Sequence, residues 1–277
     1  MTGRHIYSHF RGDSFKAGLS RTSSICALLS VYLFLLAPLL VIVVMSFSNE
    51  PTLRFPPAGF SLDPYRVLLR NDDFARGLVV SLIVSLIVTA LVVAAAVPAA
   101  LAIERRDFPF KRAIEGFFLM PLLVPTVVLG LGLLLVLAPA GLRGTFTGLV
   151  VAHFSIAFPY CVRTVLMSLH TSDISCEEAA AVLGAKPAYV FRRITLPIIM
   201  PGVVTGSLMA FIVSFDESVL SMFVSGTAIS TLPVEMFQYL EVRADPVIAA
   251  LSVALIGGSM IIVMLIERLV GLRFVVR

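Results

Sequence analysis

The sequence predicts an all-α membrane protein with six transmembrane helices, and three observations lead there. Hydrophobic residues make up 58% of the 277-residue chain and charged residues 14%, against about 25% charged in an ordinary soluble domain. Six apolar stretches reach the length a helix needs to cross a hydrocarbon layer of roughly 30 Å, which is about 20 residues. Within these stretches the apolar residues run on continuously, without the strict alternation a transmembrane barrel strand requires.

The first stretch, Ser24 to Phe47, exceeds the core of a signal peptide and has no small-residue cleavage site after it, so it is a retained span. An outer loop from Ser48 to Arg76 follows. Inside it Asp63-Pro64, then Tyr65, Val67, Leu68 and Leu69, give a capping residue, a proline at the first helical position and one short amphipathic helix. The second span, Gly77 to Ile103, carries Pro98. The third, Gly116 to Ala138, carries Pro121 and Pro125, and the fourth, Gly148 to Leu169, carries Pro159. Bilayer helices accommodate such prolines when neighbouring groups satisfy the freed carbonyls, so kinks are expected. The fifth span, Ile194 to Phe215, holds Pro197, Pro201 and the small-residue pair Gly202 and Gly206, which fits close helix packing. The sixth, Pro246 to Ile266, contains Gly257-Gly258.

Basic residues set the orientation. A cytoplasmic N-terminus puts fourteen of them inside, including Arg4, Arg105, Arg106, Lys111, Arg112, Lys186, Arg192, Arg193 and Arg277, against six outside, Arg54, Arg66, Arg70, Arg76, Arg143 and Arg243. Both termini are then cytoplasmic. Residues 1–23 form an N-terminal tail, 24–269 the membrane domain and 270–277 a C-terminal tail. The net charge of +4 reflects this topology, and no basic groove interleaved with aromatics points to nucleic acid. Cys26, Cys161 and Cys176 have no C-x-x-C spacing and no clustered histidine, so neither a disulfide nor a metal site is expected.

The polar gap after the fourth span is more than a connector. Ser175-Cys176-Glu177-Glu178 fits a capping box, in which the serine hydroxyl and the glutamate three residues on satisfy the first free amides of a helix. Ala179 to Leu183 continue that helix, and Gly184 suits the left-handed residue that ends it. Pro187 opens a second short helix through Arg193, before Leu196-Pro197 turns the chain back into the membrane. Two-turn helices are marginal alone, so the pair needs a surface to pack on. An Ala-rich helix with an acidic start suits a groove on another protein; the competing reading lays it along the bilayer, with Lys186, Arg192 and Arg193 against anionic lipid.

The spacing E-A-A-x3-G-x9-I-x-L-P, carried by Glu178, Ala179, Ala180, Gly184, Ile194, Leu196 and Pro197, resembles the signature of permease subunits of binding-protein-dependent ABC importers. It stands before the penultimate span, as in that family. Ser214-Phe215-Asp216-Glu217, Phe223 to Gly226, Thr231 to Val234, Phe60-Ser61-Leu62 with Tyr65, and Arg105 to Arg112 resemble the spermidine/putrescine-type branch. Two positions depart from it: Val80-Ser81-Leu82 stands for an N-S-L start to the second span, and Asp216-Glu217 for a pair of aspartates. The resemblance implies an ABC importer permease fold in a bacterial inner membrane and a division of labour. An extracytoplasmic binding protein delivers the ligand, a second permease, a paralogue, completes the path, and an ATPase dimer holding ATP and Mg²⁺ supplies the work. It also implies that the E-A-A helix is the coupling helix, with Glu178 and Gly184 in contact with the ATPase and Ala179 and Ala180 allowing close approach.

The residues agree that the motor lies elsewhere. A phosphate-cradling loop needs G-x-x-x-x-G-K-[ST], yet Lys16, Lys111 and Lys186 follow Phe, Phe and Ala. No cofactor and no catalytic residue is expected in this chain. A gradient-driven secondary transporter would need ionisable groups at mid-membrane and an internal repeat of spans; the spans offer His153 and Arg163 alone. His153 is expected to be a hydrogen-bonded packing residue and Arg163 to snorkel. A membrane scaffold without transport is the third class. Asp216 and Glu217, at the outer end of the fifth span, are candidate substrate-path acids that would attract a cationic ligand such as a polyamine, or else hydrogen-bonded groups at a solvated helix end.

Overall fold

The computed structural model describes residues 10–270 apart from Thr227, with the side chains of 10–24, 26, 262, 263 and 265–270 left out. Cys26 and the terminal basic residues used for orientation therefore lie outside the described side chains. In chain order the helices are α1 (Phe10–Met45), α2 (Asp63–Leu69), α3 (Asp72–Arg105), α4 (Lys111–Leu119) with a 3-10 turn Met120–Leu122, and α5 (Thr126–Leu137). They continue with α6 (Phe146–His170), α7 (Ser175–Val182), α8 (Pro187–Val190) leading through a π turn Phe191–Thr195 into α9 (Leu196–Asp216), α10 (Val219–Val224), α11 (Leu232–Val242) and α12 (Pro246–Val270). Among the described residues the one β-pairing is an isolated bridge between Ser48 and Phe60.

Two compact units emerge: the described part of Met1–Leu68 with Ala244–Gly257, and Leu69–Arg243 with the described part of Gly258–Arg277. In the first, Ser46 and Tyr65 share a 2.8 Å hydrogen bond, and the Phe47 and Tyr65 rings lie 5.2 Å apart. Leu53 N–H donates to Ala244 O at 3.1 Å. The expected loop helix forms as α2. Asp63 does not cap it as a bare N-cap would: its carboxylate accepts from Ser61 Oγ at 2.7 Å and pairs with Arg66 at 2.9 Å. Those bonds, Ser61 first, hold Asp63 below the ordinary carboxylate range.

The second unit is built on α3, α6 and α9. The buried positions of α3 include Val84, Val88, Val92, Ala96 and Ala100, which recur every four residues and so form one stripe along a 3.6-residue helix. They meet Ala152, Ile156, Val162, Val165 and Leu169 of α6 and Ile199 and Ala210 of α9. Gly202 and Gly206 let α9 lie against α6: a Cβ at Gly202 would stand 2.5 Å from Ser168 Cβ, and one at Gly206 would strike Thr164 Oγ1. The expected small-residue contact is thus an internal seam of this chain. Around it, α11 packs on α3, where Leu232 N–H donates to the buried Ser81 Oγ at 2.9 Å and Phe74 and Tyr239 lie 5.1 Å apart. A Cβ at Gly257 or Gly258 would meet nothing within 4 Å, so close packing is not what those glycines provide.

Among the described residues four helices are long and apolar enough to cross a bilayer, over Ala27–Met45, Asp72–Arg105, Phe146–His170 and Pro187–Asp216, and a fifth span results if one bent pair counts as a single crossing. That pair corrects the expected continuous third span. Lys111–Leu122 and Thr126–Leu137 meet at 102°, with Pro121 in the 3-10 turn and Pro125 extended at ψ 134° before α5. Two prolines four residues apart remove two backbone donors, and although Met120 stays helical before Pro121, Pro125 itself leaves the helical region at ψ 134°, so the helix breaks rather than kinks. Of α12, Pro246–Ile261 is the apolar stretch among the described residues.

Candidate functional site

The segment between α6 and α9 is held at its root by α3. Arg105, the last residue of α3, donates through Nη2 to Ser172 Oγ at 2.7 Å and to Glu177 Oε1 at 3.0 Å. Ser172 gives its own proton to Leu169 O at 2.7 Å, so its oxygen is free to accept. Beside this, Glu104 meets His170 Nδ1 at 3.3 Å. The ends of α3 and α6 and the start of α7 are therefore together, as the alternation of spans requires.

The expected capping box is not formed. Ser175 donates both its amide, at 2.9 Å, and its hydroxyl, at 2.7 Å, to Asp173 Oδ1, and Glu178 makes no return bond to the helix start. Asp173 supplies the acceptor two residues earlier, where its oxygen takes the first free amide of the helix, that of Ser175. The Ser175 hydroxyl and amide bonds keep its carboxylate below the ordinary range. The far end of α7 behaves as its glycine suggests. Gly184 sits at φ +81°, its N–H donates to Ala181 O and that of Ala185 to Ala180 O, both at 3.0 Å. This is the double bond pattern of a Schellman ending, which satisfies two orphan carbonyls.

Beyond the elbow the chain does not turn at Leu196-Pro197. From Pro187 it is helical through to Asp216, and the irregularity is the π turn, in which Leu196 N–H reaches back to Phe191 O. Proline 197 has no N–H for the Arg193 carbonyl, and widening by one residue spares a clash with its ring.

The motif residues fall in graded positions. Glu178, Ala179 and Pro197 are exposed, Ala180, Ile194 and Leu196 half-buried, and Gly184 exposed in open space. Glu178, Glu177, Arg105, Arg106, Ile174 and Phe191 line a cleft of about 670 Å³. Val182 and Leu183, which the motif does not include, project most: they are 88% and 87% exposed. Two large apolar side chains at the tip of a polar connector are the signal that composition-level reading passed over. Lys186, Arg192 and Arg193 are exposed alongside.

Asp216 and Glu217 stand apart from this, at the other end of the 21-residue α9, about 30 Å away at 1.5 Å per residue. Asp216 is exposed. Glu217 is half-buried and its Oε1 accepts from Leu220 N–H at 2.8 Å, so it caps α10. Its carbonyl receives the Ser221 hydroxyl, and Ser221 in turn meets His153 Nε2 at 2.7 Å while Ser214 meets Nδ1 at 2.9 Å. His153 is the buried, hydrogen-bonded packing residue expected, strapping α6 to both sides of the break between α9 and α10; Arg163 is exposed.

Comparison with known proteins decides the family. Residues 93–275 match the model of the binding-protein-dependent transport system inner membrane component. The chain belongs to that family. It is 31% identical to the spermidine/putrescine transport system permease protein PotC of Haemophilus influenzae over 85% of this chain and 91% of that one. To the putrescine transport system permease protein PotI of Escherichia coli it is 36% identical over 84% and 85%. The trehalose transport system permease protein SugB of Mycobacterium tuberculosis is 27% identical over 79% and 82%. Among solved structures, a bacterial ABC transporter involved in the import of the acidic polysaccharide alginate shares the fold, with a TM-score of 0.68 over 98% and 99% of the chains at 17% identity. The chain is an ABC importer permease subunit, and the gradient-driven and scaffold readings fall away.

Proposed function

We propose that this permease subunit carries a polyamine such as spermidine or putrescine, or a related cationic amine, across a bacterial inner membrane, driven by ATP hydrolysis in separate subunits. The relatives named for spermidine and putrescine support the substrate class, as do the acids of the outer end. A second permease subunit completes the path, an extracytoplasmic binding protein delivers the ligand, and an ATPase dimer holds ATP and Mg²⁺. Both termini face the cytoplasm, α12 supplies the sixth crossing, and the bent pair α4–α5 acts as one span.

The observation that carries the mechanism is α7, a two-turn helix that ends in two large apolar side chains, Val182 and Leu183, almost fully exposed. Its coupling role assigns Glu178, Ala179, Ala180 and Gly184 to the ATPase contact, with Ile194, Leu196 and Pro197 passing displacement into α9. Val182 and Leu183 add the apolar surface that a groove would bury, about 25 cal/mol for each Å². With the transporter reconstituted in proteoliposomes, Glu178→Arg or Gly184→Leu is expected to leave membrane insertion intact, abolish uptake and free ATP hydrolysis from its dependence on loaded binding protein. Normal uptake in both variants overturns the coupling assignment. For the substrate path, Asp216→Asn with Glu217→Gln is expected to weaken selection of dicationic over neutral solutes; unchanged uptake and selectivity remove those two residues from the path.

A further inference from the structure

Glu177 immediately precedes the motif glutamate and does the opposite job. Glu178 is exposed, whereas Glu177 and Arg105 keep only 16% and 17% of their side-chain surface and are 72 residues apart in sequence. Their ion pair is shielded on both sides, whereas the pairs Arg66–Asp63, Arg76–Asp73, Lys111–Asp107 and His170–Glu104 each have at least one partner well exposed. The guanidinium spans three elements through a single nitrogen: it ends α3, reaches Ser172 in the connector after α6, and reaches Glu177 in the first turn of α7. Its Nε is buried with no partner among the described residues. A charge-assisted bond in shielded surroundings is directional and resists solvent competition, which suits a fixed joint. Little else anchors this end of α7: no residue of the helix is buried, and Glu177, Glu178 and Ala181 border the open cleft.

We propose that Arg105, Ser172 and Glu177 form a clamp that makes α7 move as one body with α3 and α6. Glu177 and Arg105 are positioning residues: they do not touch the ATPase, and through them a displacement of α7 reaches α3 directly as well as α9 through the π turn. A helix tip free to swivel would absorb that displacement. The coupling half of this inference rests on the proposed docking of α7 to an ATPase; the mechanical half does not.

Glu177→Gln keeps the size and one acceptor and removes the charge. Hydrogen exchange of the full-length protein in detergent is expected to quicken by about tenfold or more at the amides of Ser175–Val182, through easier local opening, with α6 amides unchanged. Arg105→Gln is expected to match it, and the double variant to exceed neither, because both remove the same contact. In reconstituted transporter, solute moved per ATP hydrolysed is expected to fall at least about threefold while hydrolysis persists. Unchanged exchange in both single variants, or additive effects in the double, overturns the clamp. Faster exchange with an unchanged transport-to-hydrolysis ratio overturns its role in coupling. Normal uptake in both Glu178→Arg and Gly184→Leu would instead remove the ATPase docking reading, and the exchange result would still judge the clamp.

Discussion

Gly206 and Gly184 occur 22 positions apart and are required for opposite reasons. At Gly206 the backbone is ordinary helix and the neighbour forbids a side chain: Thr164 and Cys161 of α6 occupy the space a Cβ would need. At Gly184 a Cβ would meet nothing within 4 Å, and the backbone itself, at φ +81°, is what an L side chain resists. The first glycine belongs to a seam that holds spans together, the second to an elbow that presents a helix tip. Position along the chain says nothing of this difference; the environment on the far side of the helix says all of it.

Substitutions can break that contrast, beginning where the effect is greatest. Gly206→Leu forces a side chain into a packed interface, and overpacking of this kind costs about 3 kcal/mol or more. The expected outcome is loss of a monodisperse peak after detergent extraction, with Gly202→Leu behaving alike. Next come the polar straps of the same seam. Ser214→Ala or Ser221→Ala leaves a buried ring nitrogen of His153 unpaired, at about 1–2 kcal/mol each, visible as a lowered thermal midpoint in detergent.

The elbow is expected to answer differently. Gly184→Ala should cost about 1 kcal/mol of left-handed backbone strain while the thermal midpoint of the α3, α6 and α9 core stays put. The change belongs in faster hydrogen exchange at Ala179–Ala185, and Gly184→Asn, better tolerated at positive φ, should lie between Ala and the native residue. Equal losses of midpoint at 184 and 206 would erase the distinction. The smallest effect is expected at Asp173. Its folded carboxyl titrates below the ordinary value of 3.8, so the cap it provides is fully present above that pH and is lost as pH falls through the lower, folded value. Protection of the first turn of α7 should therefore be flat from neutral pH down to about 4 and decline only below it; a decline beginning near pH 6 would assign the capping to another group.

Much of α7 and its exit is legible from the chain alone, because the signals are local. An acidic residue, a run of alanines and a glycine at the end specify a short helix with a left-handed exit, and Gly184 adopts it. The capping box fails for an equally local reason: Asp173 stands two residues before Ser175, and its carboxylate takes both the Ser175 amide and the Ser175 hydroxyl that the box would have used. Val182 and Leu183 were passed over because exposure, unlike polarity, is not a property of sequence.

By itself the sequence determined the solvent of this protein, the number of apolar stretches, the proline positions at which helices could yield and the spacing that marks an importer permease. Composition and periodicity act over a few residues, and the bilayer demands them wherever the chain lies in hydrocarbon. Tertiary structure alone decided that the Pro121–Pro125 stretch breaks by 102°, that Gly202 and Gly206 face α6, that His153 ties two serines 61 and 68 residues away, and that Arg105 closes on Glu177. Those are pairings between distant segments. They depend on which helix faces meet, and that is settled by how the spans pack against one another.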